Sequence, residues 1–338
     1  MTAGKTGPVR WGVLSTASIG TKLVIPAMQK SSSLTVAAIG SRDRAKAEAA
    51  ARELGIATAY GSYEELVADP SIEAIYNPLP NHLHVPWTVK AARAGKHVLC
   101  EKPIAMNADE ARTLIGVQRE TGVQIAEAFM VRAHPRWEGV LDLIRQGKLG
   151  ALKLFVGHFS YYRRDPNDVR NKLEWGGGAL LDVGCYPITI SRWMFGCEPE
   201  AVIATIERDP DFKVDRLVTA ILRYPNGQAS FSVGGQLASW QKVQLFGEKA
   251  RIEVESPFNT PGQYDGRVFL DERQSGGGIT TIEFPEVNQY QLQGERFSAA
   301  VRGQGTVPVT VENAVANMAV IDALFRSAQT GRWEAPAA

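Results

Sequence analysis

Glu101-Lys102-Pro103 stands directly behind the apolar run His97-Val98-Leu99-Cys100, which places one lysine at the carboxyl end of a buried strand. In an open α/β sheet, ligands bind outside those strand ends. Pro103 disfavours the helical region for Lys102, so the ammonium projects from a short extended segment with little backbone freedom. A cation fixed in a cleft is a catalytic tool; a salt-bridged or solvated strand-end lysine is the plain alternative for an isolated E-K-P. His82 and His84 form a second cluster, but no third ligand follows at suitable spacing, so no metal site is expected.

The elements that must position these residues alternate. Val9 to Leu14 is a short apolar strand, followed by small residues and a helical pattern through Ile19, Leu23 and Met28, with Pro26 near a helix start. Thr35 to Ile39 is a strand that leads through Ser41-Arg42-Asp43 into an alanine-rich helix ending before Gly55. Ser62 with Glu65 reads as a capping box for a helix to about Ala68, Ala74 to Asn77 is a strand, and Val85 to Ala94 is helical. The His97 to Cys100 strand, a helix from Ala108 to about Thr121 capped by Asn107 with Glu110, and a strand from Gln124 to Ala128 complete the pattern. These strands with helical crossovers predict an α/β fold with a parallel, doubly wound (Rossmann) sheet.

After the first strand, the spacing of a G-x-G-x-x-G dinucleotide turn reads Ser15-Thr16-Ala17-Ser18-Ile19-Gly20, with only the third glycine present. Serine and alanine are small enough to let a pyrophosphate approach the backbone and a helix amino terminus, and the hydroxyls add donors. Ser15, Ala17, Ser18 and Ile19 are therefore cofactor candidates. An NAD site usually carries an acid at the end of the second strand. Here Ser41-Arg42 stands there, and a hydroxyl beside a guanidinium suits a 2′-phosphate, which predicts NADP in preference to NAD. Asp43 keeps NAD as the alternative.

The whole chain bounds the possible partners. Its 338 residues exceed one ordinary core, so two domains are expected, 1–128 and 129–338. Lys+Arg at 37 against Asp+Glu at 36 gives a net charge of +1, which offers no basic field to nucleic acid or to an anionic membrane. Three cysteines, Cys100, Cys185 and Cys197, sit in or beside apolar runs and form no ligand cluster, as reduced thiols of a cytoplasmic protein do. The amino terminus has no apolar signal region, and no stretch approaches the length of a membrane span.

Several stretches together resemble the Gfo/Idh/MocA oxidoreductase family. They are the turn from Gly12 to Gly20, Asn77-Pro78-Leu79-Pro80-Asn81-His82-Leu83-His84, Ala94-Gly95-Lys96 through Glu101-Lys102-Pro103, and Gly176-Gly177-Gly178-Ala179-Leu180-Leu181-Asp182-Val183-Gly184-Cys185-Tyr186. The chain looks closest to the dimeric dihydrodiol and D-xylose dehydrogenases, because Tyr186 stands where many members have histidine and Glu127-Ala128-Phe129-Met130 is followed by Arg132 and Pro135. The resemblance implies NAD(P)-dependent hydride transfer on a sugar, polyol or related cyclic alcohol, with Lys102, Tyr186 and Asp182 as catalytic residues. It also implies that Leu79, Pro80, Asn81, His84 and Glu101 line the cofactor side, together with Lys102. Alcohol oxidation needs a base for the hydroxyl proton, and a neighbouring ammonium brings a phenol towards that role. Asp182 precedes Tyr186 by four, so on a helix the two share a face. It would then orient substrate or balance Lys102, while Pro187 is expected to kink the segment or to start a helix.

Aromatic faces and planar donors bind carbohydrate, which makes Arg132, Tyr161, Tyr162, Arg163, Arg164, Asn171 and Trp175 substrate-side candidates. Beyond about Phe129 the texture becomes β-rich, with runs at Leu152 to Tyr161, Ala201 to Glu207, Leu217 to Tyr224, Gln228 to Val233, Lys242 to Phe246, Arg251 to Val254, Arg267 to Leu270 and Thr280 to Phe284. Pro225-Asn226-Gly227 joins two of them as a hairpin, so a large, mainly antiparallel sheet is expected in an α+β domain. Helices including Pro187 to Phe195 would cover one face, and a second subunit the other, as in the family. Gln289 to Arg302 and Val311 to Ala328 read as helices. The competing reading from another class is a regulator that binds dinucleotide without turnover; reduction of a dicarbonyl or keto-sugar is a third.

Overall fold

In the computed structural model, which describes residues 7–259 and 266–337, six strands form one parallel sheet. They are β1 (Val9–Leu14), β2 (Leu34–Gly40), β3 (Thr58–Tyr60), β4 (Ala74–Asn77), β5 (His97–Glu101) and β6 (Ile125–Ala128), in the order β3-β2-β1-β4-β5-β6. Covered on both faces, the inner strand β4 is buried at every residue, and so is β6 at the sheet edge. β3 has no counterpart in the sequence reading. Three half-buried residues at a sheet edge give too short a pattern to register.

The crossovers are α1 (Ile25–Met28), α2 (Arg44–Leu54), α3 (Tyr63–Ala68), α4 (His84–Arg93) and α5 (Ala108–Thr121). Their caps are the ones that the sequence marks. Ser62 accepts from the Glu65 amide and Asn107 from the Glu110 amide, while Gly55 and Gly122 close α2 and α5 with left-handed φ of 65° and 70°. The entry helix departs from expectation. Gly20–Val24 forms a π-turn in which the Ile25 amide reaches back to Gly20, and only then does α1 begin. Pro26 supplies no N–H, and the chain widens one turn ahead of it.

The chain divides into two compact units. The first combines residues 1–133 with Asn288–Ala314, and the second combines His134–Val287 with 315–338. The helix α8 (Gln289–Val301) packs in the unit that holds the parallel sheet. Trp11 of β1 stands 5.3 Å from the Phe297 ring and donates to Ser298 Oγ at 3.1 Å, and Arg302 pairs with Glu73 at 3.0 Å where both are largely buried.

The second unit is an eight-stranded sheet in the order β14-β13-β12-β11-β7-β10-β9-β8. Its strands are β7 (Leu152–Tyr162), β8 (Ala201–Arg208), β9 (Asp215–Tyr224), β10 (Gly227–Gly234), β11 (Gln236–Gly247), β12 (Arg251–Val254), β13 (Val268–Asp271) and β14 (Ile279–Ile282). All neighbours run antiparallel except β7 and β10. Alternation separates the faces. Phe155, Leu245, Ile252, Leu270, Ala229, Leu222 and Val202 lie in one paired row, all buried. The next row, Phe269, Glu253, Gln244, Val156, Ser230, Ile221 and Ile203, contains no buried residue. The helices of this unit are α6 (Pro135–Arg145), α7 (Cys185–Phe195) and most of α9 (Val311–Thr330). Gly157 lets α7 approach β7: a Cβ there would stand 3.0 Å from Pro187 Cβ.

Candidate active site

In the first unit, the cofactor candidates gather at the carboxyl ends of four adjacent strands. Behind β1, Ser15 takes a left-handed φ of 70°, its amide donates to Gly40 O at 2.8 Å, and its Oγ accepts from the Ala17 amide at 3.2 Å. A non-glycine residue in that region marks a turn held by its surroundings. Behind β2, the buried Ser41 accepts from the Asp43 amide at 3.2 Å, and Arg42 is exposed. Arg42 hydrogen-bonds Tyr63, whose phenol burial pushes up against the opposing pull of that guanidinium. The Asp43 carboxylate caps α2, accepting from Lys46 N at 3.2 Å.

Behind β4 and β5, two loops are tied together by His84. Its Nδ1 stands 2.7 Å from Pro103 O and its Nε2 stands 2.6 Å from Leu79 O, so one buried ring spans the Leu79-Pro80-Asn81 loop and the E-K-P segment. Burial pushes this imidazole down to about 4, with the two carbonyls pulling the other way. Carboxylates hold the same segment. Glu101 accepts from the Lys102 amide at 3.2 Å and from Tyr76 Oη at 2.6 Å, and the buried Glu127 accepts from the Ile104 amide at 2.9 Å. Lys102 itself is half-buried. Arg132 follows β6 on the 3₁₀ turn Met130–Ala133, and its carbonyl accepts from Arg296 at 3.5 Å.

In the second unit, the π-turn Leu180–Gly184 carries Asp182 and runs straight into α7 with Tyr186. Pro187 therefore lies in the first turn of α7, where a missing N–H is tolerated. Asp182 Oδ2 accepts from Arg170 Nε at 2.7 Å, Arg170 also reaches Asp168 at 3.3 Å, and its guanidinium stands 5.8 Å from the Tyr161 ring. The Asp182 charge holds Arg170 firmly protonated, while burial and then that same carboxylate push the Tyr161 phenol well up. Asp182, Tyr161 and Arg170 thus form one charged, hydrogen-bonded group.

The remaining candidates are more dispersed. Arg163 pairs with Asp168 at 3.5 Å, and Arg164 with Asp209 at 3.2 Å and with Asp211. Asn171 Nδ2 donates to Asp165 O at 2.7 Å, which commits it to its own loop. Trp175 lies 6.0 Å from Lys172 Nζ, and Tyr162 is 66% exposed at the end of β7. Tyr186 is buried, with Phe159 and Phe258 at 5.4 and 5.3 Å. Sequence reasoning missed Arg170 and Phe258. Arg170 had a signal, two residues from Asp168 and just ahead of the glycine triplet, whereas Phe258 had none. Among the described residues, no group of three or more His, Cys, Asp or Glu is placed to hold a metal ion, and no helix is long and apolar enough to cross a membrane.

The strand order and the turn behind β1 define a dinucleotide-fold protein with a second, sheet-bearing unit. Residues 9–129 match the oxidoreductase family with an NAD-binding Rossmann fold, and residues 137–253 match the Gfo/Idh/MocA C-terminal domain. An uncharacterized oxidoreductase of Rhizobium meliloti is 44% identical over 96% of this chain and 98% of its own. D-xylose 1-dehydrogenase (NADP(+)) 2 of Haloferax volcanii is 38% identical over 95% and 98% of the two chains. Among solved structures, the 3-ketoreductase KijD10 of Actinomadura kijaniata, in complex with NADP and TDP-benzene, superposes with a TM-score of 0.88 at 29% identity, over 95% of this chain and 98% of that one. The chain belongs to the Gfo/Idh/MocA family of oxidoreductases.

Proposed function

We propose that the chain is an NADP-dependent dehydrogenase or reductase acting on a CH–OH carbon, or the matching ketone, of a sugar, polyol or other cyclic alcohol. Residues 1–128 bind the dinucleotide, and residues 129–338 bind the substrate and a second subunit. The observation that carries the reading is Lys102, pinned through its own amide and through Pro103 and Ile104 at the carboxyl end of β5. The residues present fit the cofactor. Ser15 and Ala17 form a tight turn of small residues, Arg42 is exposed, and Asp43 is committed to capping α2, which favours a 2′-phosphate over a free 2′-hydroxyl.

Bound NADP supplies the hydride acceptor in one direction and the donor in the other. The chain manages the proton and the orientation. Tyr186 Oη takes the hydroxyl proton in oxidation and returns it in reduction. Lys102 Nζ donates to the substrate oxygen. Asp182, held by Arg170, accepts from a substrate hydroxyl, and Tyr161 lies beside it. Free thiols at the buried Cys100 and Cys185 and the exposed Cys197 support a reducing compartment, the cytoplasm. The unburied row of the large sheet supports a homo-oligomer.

The test is absorbance at the reduced-nicotinamide band, with NADP and with NAD, across aldoses, inositols and cyclic diols. Turnover with at least one of them, faster with NADP, is expected. Cofactor binding without turnover on any would replace this reading with that of a dinucleotide-sensing regulator.

A further inference from the structure

Arg136 is fully buried, yet its guanidinium donates to main-chain oxygens: Nη1 to Glu255 O at 2.8 Å and Nη2 to Pro257 O at 3.3 Å. Burial lowers it to about 10, so it stays a cation at neutral pH, with Glu255 the opposing charge and His134 a buried neighbour pushed down to about 3. The Glu255 carboxylate itself accepts two bonds from Arg267, each 2.8 Å. A buried cation is costly to keep, and nothing in the proposed chemistry uses this one. What it holds is a segment without regular structure, just beyond β12.

That segment is anchored from a second side as well. Trp137 Nε1 donates to Pro257 O at 3.1 Å, and Gln241 Oε1 accepts from the amides of Phe258 and Asn259, both at 2.9 Å. Gln241 Nε2 closes the bracket on Asn259 O at 3.1 Å. The residue delivered is Phe258, itself fully buried. Its ring stands 5.3 Å from the Tyr186 ring and is stacked on Phe159 at 5.1 Å and 20°, while Phe159 meets Tyr186 edge-on at 5.4 Å and 73°. The Tyr186 ring is thus confined by two others, one from β7 and one from a loop that the side chains of Arg136, Trp137 and Gln241 bracket.

We propose that Phe258 is a positioning residue for Tyr186, and that Arg136, with Trp137 and Gln241, fixes the loop that presents it. The aim of the phenol Oη is set by its ring, and a ring free to turn leaves the proton misplaced by a distance that matters to the reaction. The proposal rests on the reading of Tyr186 as the proton carrier, so its test includes that residue.

Phe258→Leu, Phe258→Tyr, Arg136→Met, Tyr186→Phe and the double variant of Phe258→Leu with Tyr186→Phe are compared, using NADP and the fastest substrate of the panel. Phe258→Leu is expected to lower kcat by about tenfold or more, to shift the pH profile of kcat, and to leave NADPH binding by nicotinamide fluorescence unchanged. Phe258→Tyr keeps the ring and should restore most of the rate. In the Tyr186→Phe background, Phe258→Leu should cost nothing further. Arg136→Met should mimic Phe258→Leu; if it does not fold, the Phe258 pair alone decides. A full rate for Phe258→Leu beside a crippled Tyr186→Phe overturns this proposal and spares the other. A full rate for Tyr186→Phe, or no turnover on any substrate, overturns both.

Discussion

Two lysines bracket β5. Lys96, ahead of its amino end, is buried and donates to the carbonyls of Asp69 at 2.6 Å and Ile72 at 2.8 Å, a structural use of a charge. Lys102, at the carboxyl end, sits in a segment clamped from three directions by Glu101, His84 and Glu127. Lys102→Met and Tyr186→Phe are each expected to lower kcat by about a hundredfold or more while NADPH binding, read by fluorescence, changes little. Near-full rates in both would remove these residues from the chemistry. Arg42→Ala should weaken NADPH roughly tenfold or more and leave NADH nearly unaffected, since only the former offers the 2′-phosphate; equal losses would contradict the assignment. Lys102, Asp182 and Tyr186 could be picked out of the sequence because short motifs carry them. Phe258 could not, because its partner Tyr186 lies 72 residues away and no local period records such a pairing, and the nearness of Arg170 to Asp168 gave no sign of its bond to Asp182, 12 residues on.

At the scale of elements, the two π-turns share a cause. Gly20–Val24 precedes Pro26, and Leu180–Gly184 precedes Pro187; each proline withholds an amide, and each helix widens before it. The second turn begins on the buried Asp215, whose Oδ2 accepts from the Leu180 amide at 2.5 Å. Gly178 is fitted to it, with φ of +122° and a hypothetical Cβ only 1.9 Å from Asp215 Oδ1. Gly178→Ala should therefore destabilise the fold by about 1–3 kcal/mol or more, measured by urea denaturation. Burial raises the Asp215 carboxyl from 3.8 to about 6. A raised folded value means that the native state binds the extra proton, so the contribution is whole below pH 3.8 and is lost as pH rises through 6. Asp215→Asn should flatten this part of the stability profile, by up to about 3 kcal/mol, and an unchanged slope would refute the account. Caps such as Ser62 and Asn107 were legible because the side chain and its amide are neighbours in sequence. The π-turns were not, since a helical repeat looks the same until backbone bonds are counted.

At the scale of the molecule, the large sheet leaves a row from Phe269 to Ile203 unburied, with Trp240 63% exposed on β11. Phe269, Val156, Ile221 and Ile203, apolar members of that row, suit a second copy of the same surface. Trp240→Glu should shift the mass in sedimentation towards the monomer; an unaltered oligomer would move the contact elsewhere. Both sheets were readable from alternation and strand length. The return of Asn288–Ala314 to the first unit was not, because the amphipathic pattern of α8 shows that it has a buried face without saying what buries it.

That return has a consequence for how the protein is made. During synthesis, β1 emerges early, but Trp11 must wait for nearly the whole chain before Phe297 and Ser298 leave the ribosome to cover it. Trp11 is thus kept without its α8 cover while the second unit is translated, and chaperone dependence should be concentrated in that interval.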